Sequence, residues 1–236
     1  MAESQAGPYK QRPEYRTKLD NVKAILQGLR EDERFFSIDE YGPVAVLKRG
    51  GLKLVAPDES VTGPQWQHSK GVVIVTAALE LSTNQVTHLY SDKKNTAEII
   101  KLLDLLLAQN RHLSRLYLSW DAASWHMSKQ LTRRIASNNV MAEVTGSTRV
   151  ETAPLPAGAQ FLNVVEAVFS GMARAILHNS DYSSVGEARV AIDRYFTERN
   201  DYFREHPQRA GNRIWGNERG TAAFSESSNH KDPRYR

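Results

Sequence analysis

Between residues 34 and 90, apolar and polar positions alternate in three short runs, 35–40, 71–81 and 85–90, separated by Gly, Pro, Asn and Ser. Period-two alternation in consecutive runs predicts three strands in an antiparallel meander. The period then lengthens. Asn95 followed three positions later by Glu98 is a capping-box pattern, and Ile99, Leu102, Leu103 and Leu106 fall on one face behind it, which predicts a helix. The apolar run 116–120 predicts another strand, ending at Asp121. Residues 128–137 read as a second helix, 141–145 as a further strand, and Pro154, Pro156 and Gly158 as loop. Two helices over 161–178 and 185–204 complete the pattern, and Leu19, Val22, Ile25 and Leu29 mark a helix ahead of the first strand.

Three strands, a helix, a strand, a helix, a strand and more helices call for an α/β fold. The order is that of a ribonuclease-H-like mixed sheet, three antiparallel strands followed by parallel additions, with helices on both faces. The chain divides on this reading into a linker and lead-in helix (1–32), a ribonuclease-H-like body (33–205) and a flexible basic tail (206–236). No internal repeat is visible.

With 40% hydrophobic residues among 236, a sizeable core can be buried. Lys and Arg number 31 against 27 Asp and Glu, a net charge of +4, which permits an acidic partner without demanding one. Cysteine is absent, so thiolate metal sites, disulfides and cysteine nucleophiles are excluded. The longest apolar run, 72–79, is too short to span a bilayer. The expectation is a cytoplasmic protein with no membrane partner.

Three carboxylates stand in unusual places. In the run 35–40, alternation puts Phe35, Ser37 and Asp39 on one face and Phe36, Ile38 and Glu40 on the other. An acid there is costly if buried, and otherwise marks a strand end reaching solvent. Glu40 points away from Asp39 and reads as structural. Asp121 follows the run 116–120, where strand ends open into a crevice, although turn or helix capping would also employ an Asp. Leu162, Phe169, Ala173 and Ile176 define a helical face with Glu166 near its centre. A carboxylate buried there needs a cation, a raised pKa or an ion pair, for instance with Arg174. If the strands of Asp39 and Asp121 are neighbours, the two carboxylates can converge and the helix of Glu166 can cover them. Oxygen ligands without cysteine suit a hard cation such as Mg²⁺.

Three blocks carry a resemblance: Phe36-Ser37-Ile38-Asp39-Glu40-Tyr41-Gly42-Pro43, Leu118-Ser119-Trp120-Asp121-Ala122-Ala123-Ser124-Trp125-His126, and Leu155-Pro156 with Phe161-Leu162-Asn163-Val164-Val165-Glu166. In kind and order they resemble the mariner-like bacterial insertion-sequence transposases of the D-D-E superfamily. The second block is similar to an Asp-Asn-Ala-x-x-His signature, with Ala122 in place of Asn. The third is similar to Leu-Asn-Pro-Ile-Glu, with Val164 in place of Pro. The resemblance implies catalytic, metal-holding roles for Asp39, Asp121 and Glu166, two Mg²⁺ or Mn²⁺ ions, and double-stranded DNA as partner, both element ends and target. It also implies a homodimer and a bacterial, nucleoid-associated location. His126 and Asn163 are candidates for contacts behind the carboxylates, and Lys48, Arg49, Lys93, Lys94, Arg133 and Arg134 for phosphate contacts. No helix-turn-helix pattern precedes residue 33, so a separate N-terminal module is expected to read the element ends. A catalytically inactive DNA-binding remnant and a different two-metal nuclease are the alternative functions.

Overall fold

The structure is a computed structural model, and it describes residues 13–50, 56–57, 66–157, 159, 162–211 and 214. Five strands form one sheet: β1 (Glu33–Ala45), β2 (Val72–Glu80), β3 (Gln85–Tyr90), β4 (Arg115–Ser119) and β5 (Arg149–Thr152), in the spatial order β3-β2-β1-β4-β5. β1 pairs antiparallel with β2, and β2 with β3, as a meander requires. On its other edge β1 pairs parallel with β4, and β4 with β5. The sequence-based expectation of an antiparallel meander extended by parallel strands holds.

Strand alternation sorts the core into two layers. Phe35, Val75, Ala77, Leu79 and Tyr117 face one side, where they pack with Val22 and Leu26 of α1 (Pro13–Gln27), Val165, Val168, Phe169 and Met172 of α4 (Val165–Met172), and Ala188, Ile192 and Phe196 of α5 (Val185–Glu205). Phe36, Ile38, Ala78, Leu116, Leu118 and Val150 face the other side. There they meet Ile99, Leu102, Leu103 and Leu106 of α2 (Thr96–Gln109) and Leu131 of α3 (Lys129–Thr145). Each fully buried aliphatic or aromatic side chain contributes about 1.5–3 kcal/mol over its exposed state, so both faces hold helices firmly.

Three expectations are corrected. Residues 141–145, read as a strand, are the end of α3, and the last strand is β5, four residues further on. Val140, Met141 and Val144 look β-like in sequence, yet they stand exposed on the helix, which runs on until Gly146 stops it in the left-handed region at φ 69°. The helix expected over 161–178 begins at Val165, and after α4 it continues as a π-helical turn, Ala173–Leu177. Beyond Pro207 the sequence reads as loose, but Ala210 and Ile214 are buried in the core, and Ala210 N–H donates to the Leu81 carbonyl at 2.8 Å. Most of the expected tail lies outside the described residues, as do Gly158 and Phe161 of the loop and the third block.

Candidate active site

The register of β1 and β4 sets the first two carboxylates side by side. Ser37 is paired with Ser119, so Asp39 lies two residues further along β1 and Asp121 two residues beyond the end of the neighbouring parallel strand. β4 stops at Ser119, which leaves Asp121 just past its carboxyl end, as expected. Asp39 is half-buried and its two oxygens are occupied. Oδ1 accepts from the Glu40 N–H at 2.7 Å and Oδ2 from Asn163 Nδ2 at 2.9 Å.

Helix α4 is tied to the same place by a residue not singled out in the sequence. Ser37, buried on the Asp39 face, donates to Asn163 Oδ1 at 2.6 Å and accepts from the Val165 N–H at 3.2 Å. One hydroxyl thus fastens the first turn of α4 to β1, and Asn163 passes that attachment on to Asp39. The signal available in sequence was the period-two face that Ser37 shares with Asp39.

Glu166 sits in the first turn of α4 but not inside the core, and this corrects the sequence reading. The buried stripe is Val165, Val168, Phe169 and Met172. Each step turns a helix by about 100°, so adding these residues to Phe169 swings the apolar face away from Glu166 and leaves it exposed. Arg174, eight residues on and about 12 Å along the axis, lies beyond α4 in the π-helical turn. Glu166 lines an open cleft of about 760 Å³ together with Asn163, Ser170, Tyr195, Arg199 and Phe203.

The electrostatics show that the three acids share one neighbourhood. Burial, opposed by the Glu40 amide and reinforced by the charges of Asp121, Glu40 and Glu166, pushes the Asp39 carboxyl up to about 6. Glu166 is raised by desolvation and by the charge of Asp121. Asp121 is lowered instead, chiefly by its hydrogen bond to His126, with help from the Ala123 amide and the charge of Lys94. Among the described residues no three Asp, Glu or His side chains are drawn together closely enough to grip an ion. The donor set nevertheless fits a hard divalent cation: oxygen ligands only, and two carboxylates whose ionisation is opposed by burial and by neighbouring carboxylates.

Asp121 is held from behind. His126, in a 3₁₀ turn over Ser124–Met127, places Nδ1 3.1 Å from Asp121 Oδ1 and Nε2 3.3 Å from Glu40 Oε1. Burial opposes its charge, but the hydrogen bonds and charges of Asp121 and Glu40 prevail and raise the imidazole to about 9. Both nitrogens therefore donate at neutral pH. Trp125 Nε1–H also donates to Glu40 Oε1, at 3.0 Å. Glu40 does point away from Asp39 as alternation requires, yet its buried carboxylate meets two donors, so reading it as structural missed a part of this arrangement. A carboxylate on the face of Phe36 and Ile38 was itself the signal, because a buried charge needs partners.

The candidate cations are dispersed. Lys94 donates to the Glu40 carbonyl at 3.0 Å, beside the carboxylates. Lys48 lies 3.8 Å from Asp181 and Arg49 N–H donates to the Ser180 carbonyl, so both stand past the far end of α4. Arg134 pairs with Asp104 at 2.6 Å, while Lys93 and Arg133 are exposed. Trp120 is buried and Trp66 is exposed.

Adjacent parallel strands with one aspartate midway along the first and another just past the end of the second, beside a helix bearing a glutamate, define a ribonuclease-H-like domain. The chain belongs to the DDE superfamily endonucleases, whose family model matches residues 37–189 and so takes in all three carboxylates. No curated protein matches it closely by sequence. Among solved structures it is similar to the catalytic domain of Mos1 mariner transposase, with 13% identity, a TM-score of 0.57, and coverage of 86% of this chain and 89% of that one. It is also similar to the Mos1 transposase paired-end complex with the left transposon end, with 15% identity, a TM-score of 0.57, and coverage of 91% and 61%. The Mos1 mariner paired end complex with Mn matches at 16% identity and a TM-score of 0.53, with the same coverage. The chain thus spans about three fifths of the transposase in those complexes.

Proposed function

We propose that this chain is the catalytic domain of a mariner-like DNA transposase that cuts and joins DNA strands at the ends of an insertion sequence. The observation that carries this reading is the β1–β4 register, which brings Asp39, midway along β1, beside Asp121, just past the end of β4, with Glu166 near enough for its charge to raise Asp39 and for that of Asp121 to raise it. Membership of the endonuclease family supports it.

On this reading Asp39, Asp121 and Glu166 hold two divalent ions, Mg²⁺ or Mn²⁺; one of the similar Mos1 complexes contains Mg and another Mn. When bound, the ions neutralise the attacking and leaving oxygens of an in-line phosphoryl transfer. The protein's own part is placement. Asn163 and the Glu40 amide orient Asp39, His126 orients Asp121, and Ser37 sets the start of α4 from which Glu166 reaches the cleft. Lys94 is placed to meet a phosphate at the site, with Lys93 and Arg133 further out. The cleft beside Glu166 gives the cut strand a way in. In the first step a water attacks a phosphodiester at the element end and displaces its 3′ oxygen, which leaves as a hydroxyl. In the second, that 3′ hydroxyl attacks a phosphodiester of target DNA and displaces the 3′ oxygen of the target strand. A homodimer and a separate N-terminal helix-turn-helix module complete the expected assembly, with the bacterial nucleoid as its location. No helix among the described residues is long and apolar enough to cross a membrane.

The test is cleavage of a duplex carrying the flanking inverted repeats, in Mg²⁺ or Mn²⁺, by the parent chain and by Asp121→Ala, each supplied with the end-binding module. The parent is expected to cut and the variant to lose at least a hundredfold in rate. Equal cleavage by both would sink the assignment. Equal cutting of duplexes with and without the repeats would favour a general two-metal nuclease.

A further inference from the structure

Glu40 touches both aspartates of the site, through different parts of one residue. Its main-chain N–H donates to Asp39 Oδ1 at 2.7 Å. Its side chain crosses to the other face of the sheet, where it is almost wholly enclosed, and accepts from His126 Nε2 at 3.3 Å; the opposite nitrogen of that ring meets Asp121 Oδ1 at 3.1 Å. The carboxylate is fixed from two more directions. Trp125 Nε1–H donates to the same Oε1 at 3.0 Å, and Thr96 at the start of α2 holds the Trp125 carbonyl at 3.0 Å. The main chain of Glu40 is held by Lys94 Nζ on its carbonyl at 3.0 Å. The His126 ring is wedged between Trp120 and Trp125, with centroids 5.7 and 5.8 Å away.

We propose that Glu40 is a positioning residue that sets both aspartates at once, Asp39 through its amide and Asp121 through the His126 ring, so that the pair presents its remaining lone pairs to a divalent ion at a fixed separation. This deepens the proposed function and rests on it. Orientation matters because groups behind a metal ligand fix its rotamer, and their removal commonly weakens metal binding by about 10–100-fold. Strand geometry supplies the device: consecutive residues face opposite sides, so only the neighbour of Asp39 can touch it by amide while anchoring a ring on the far side. An enclosed acid with two hydrogen-bond donors on one oxygen and a rigid indole behind it has little freedom to let that ring move.

The experiment measures Mn²⁺ binding by calorimetry on the full chain, alongside circular dichroism of each variant. Glu40→Met removes the acceptor oxygen and is expected to weaken Mn²⁺ binding about tenfold or more. Glu40→Gln retains an acceptor oxygen in the same place and is expected to recover most of that loss. If Glu40→Met folds and binds Mn²⁺ as the parent does, or if Gln is no better than Met, the proposal is overturned. A parent that binds no Mn²⁺, or an Asp121→Asn variant that binds it equally well, overturns the metal reading and this proposal with it. Should Glu40→Met fail to fold, ¹⁵N-histidine spectra of the parent decide the matter. Both His126 ring protons protected from exchange support the lock, and an unprotected Nε2 proton overturns it.

Discussion

At the scale of single residues, the site is governed by what burial does to charge. Asp39 binds its proton more tightly in the fold than in the unfolded chain, its carboxyl rising from 3.8 to about 6. Protonation therefore favours folding. The stability gained is complete below the unfolded value and is lost as pH climbs through about 6, the reverse of a salt-bridged aspartate. Thermal unfolding without divalent ions is expected to show the parent falling behind Asp39→Asn between pH 4 and 7. Parallel curves would refute the burial argument. His126 acts in a separate window. Its raised value makes its contribution complete below 6.5 and lost as pH rises through about 9. Ser37 can be tested by truncation. Ser37→Ala leaves Asn163 Oδ1 and the Val165 amide without their buried partner, which is expected to cost about 1–3 kcal/mol in denaturant unfolding. It should also slow cleavage more than it weakens DNA binding, because α4 loses its attachment beside Asp39.

At the scale of elements, periodicity told helix from strand wherever one face was buried and the other was not. α2 was legible for that reason. Asn95 accepts from the Glu98 N–H at 3.1 Å and the four predicted apolar residues are buried. Only half the capping box forms, since Glu98 turns to Lys101 at 2.7 Å and leaves Oε2 without a partner. α3 was misread because its second half buries little: with Val140, Met141 and Val144 facing solvent, no amphipathic period was there to detect. What ends α3 was visible, however, in Gly146. Gly146→Ala would force a β-carbon into the left-handed region, at an expected cost of about 1–2 kcal/mol. Because open space surrounds that position, a change within 0.3 kcal/mol would show that backbone strain is not what the glycine relieves. Asp121 could be located from local sequence because the end of a strand is a local feature, and Asp39 because an acid inside an alternating run is one too. The Glu40–His126 contact spans 86 positions and depends on the β1–β4 register, which no local pattern encodes.

For the whole molecule, the near balance of charge matters more than the excess of +4. Lys48 and Arg134 already have acidic neighbours, and Lys93 and Arg133 remain exposed. Binding to duplex DNA should therefore depend on few phosphate contacts. Each of Lys93→Ala and Arg133→Ala is expected to flatten the plot of log affinity against log salt by about 0.9 if its residue touches one phosphate. An unchanged slope removes that residue from the interface. The parent slope itself should be shallow.

The sheet and α4 divide the site into a fixed jaw and an adjustable one. Asp39 is set within β1, and Asp121, two residues past the end of β4, is held by the Ala123 amide and the His126 ring. Glu166 rides on a helix whose first turn is fastened to the sheet by the Ser37 hydroxyl and is fed by the long connection from β5. The first part of that connection is bound to β4, with the Ala153 and Leu155 amides donating to the Leu118 and Trp120 carbonyls, so residues can be added or removed only beyond Leu155 without disturbing the strands. Chain length between the second and third carboxylates is therefore free to drift, and a shorter acid at the third position could be served by a small shift of the helix. The place to engineer the spacing of such a site is the loop that carries the adjustable jaw.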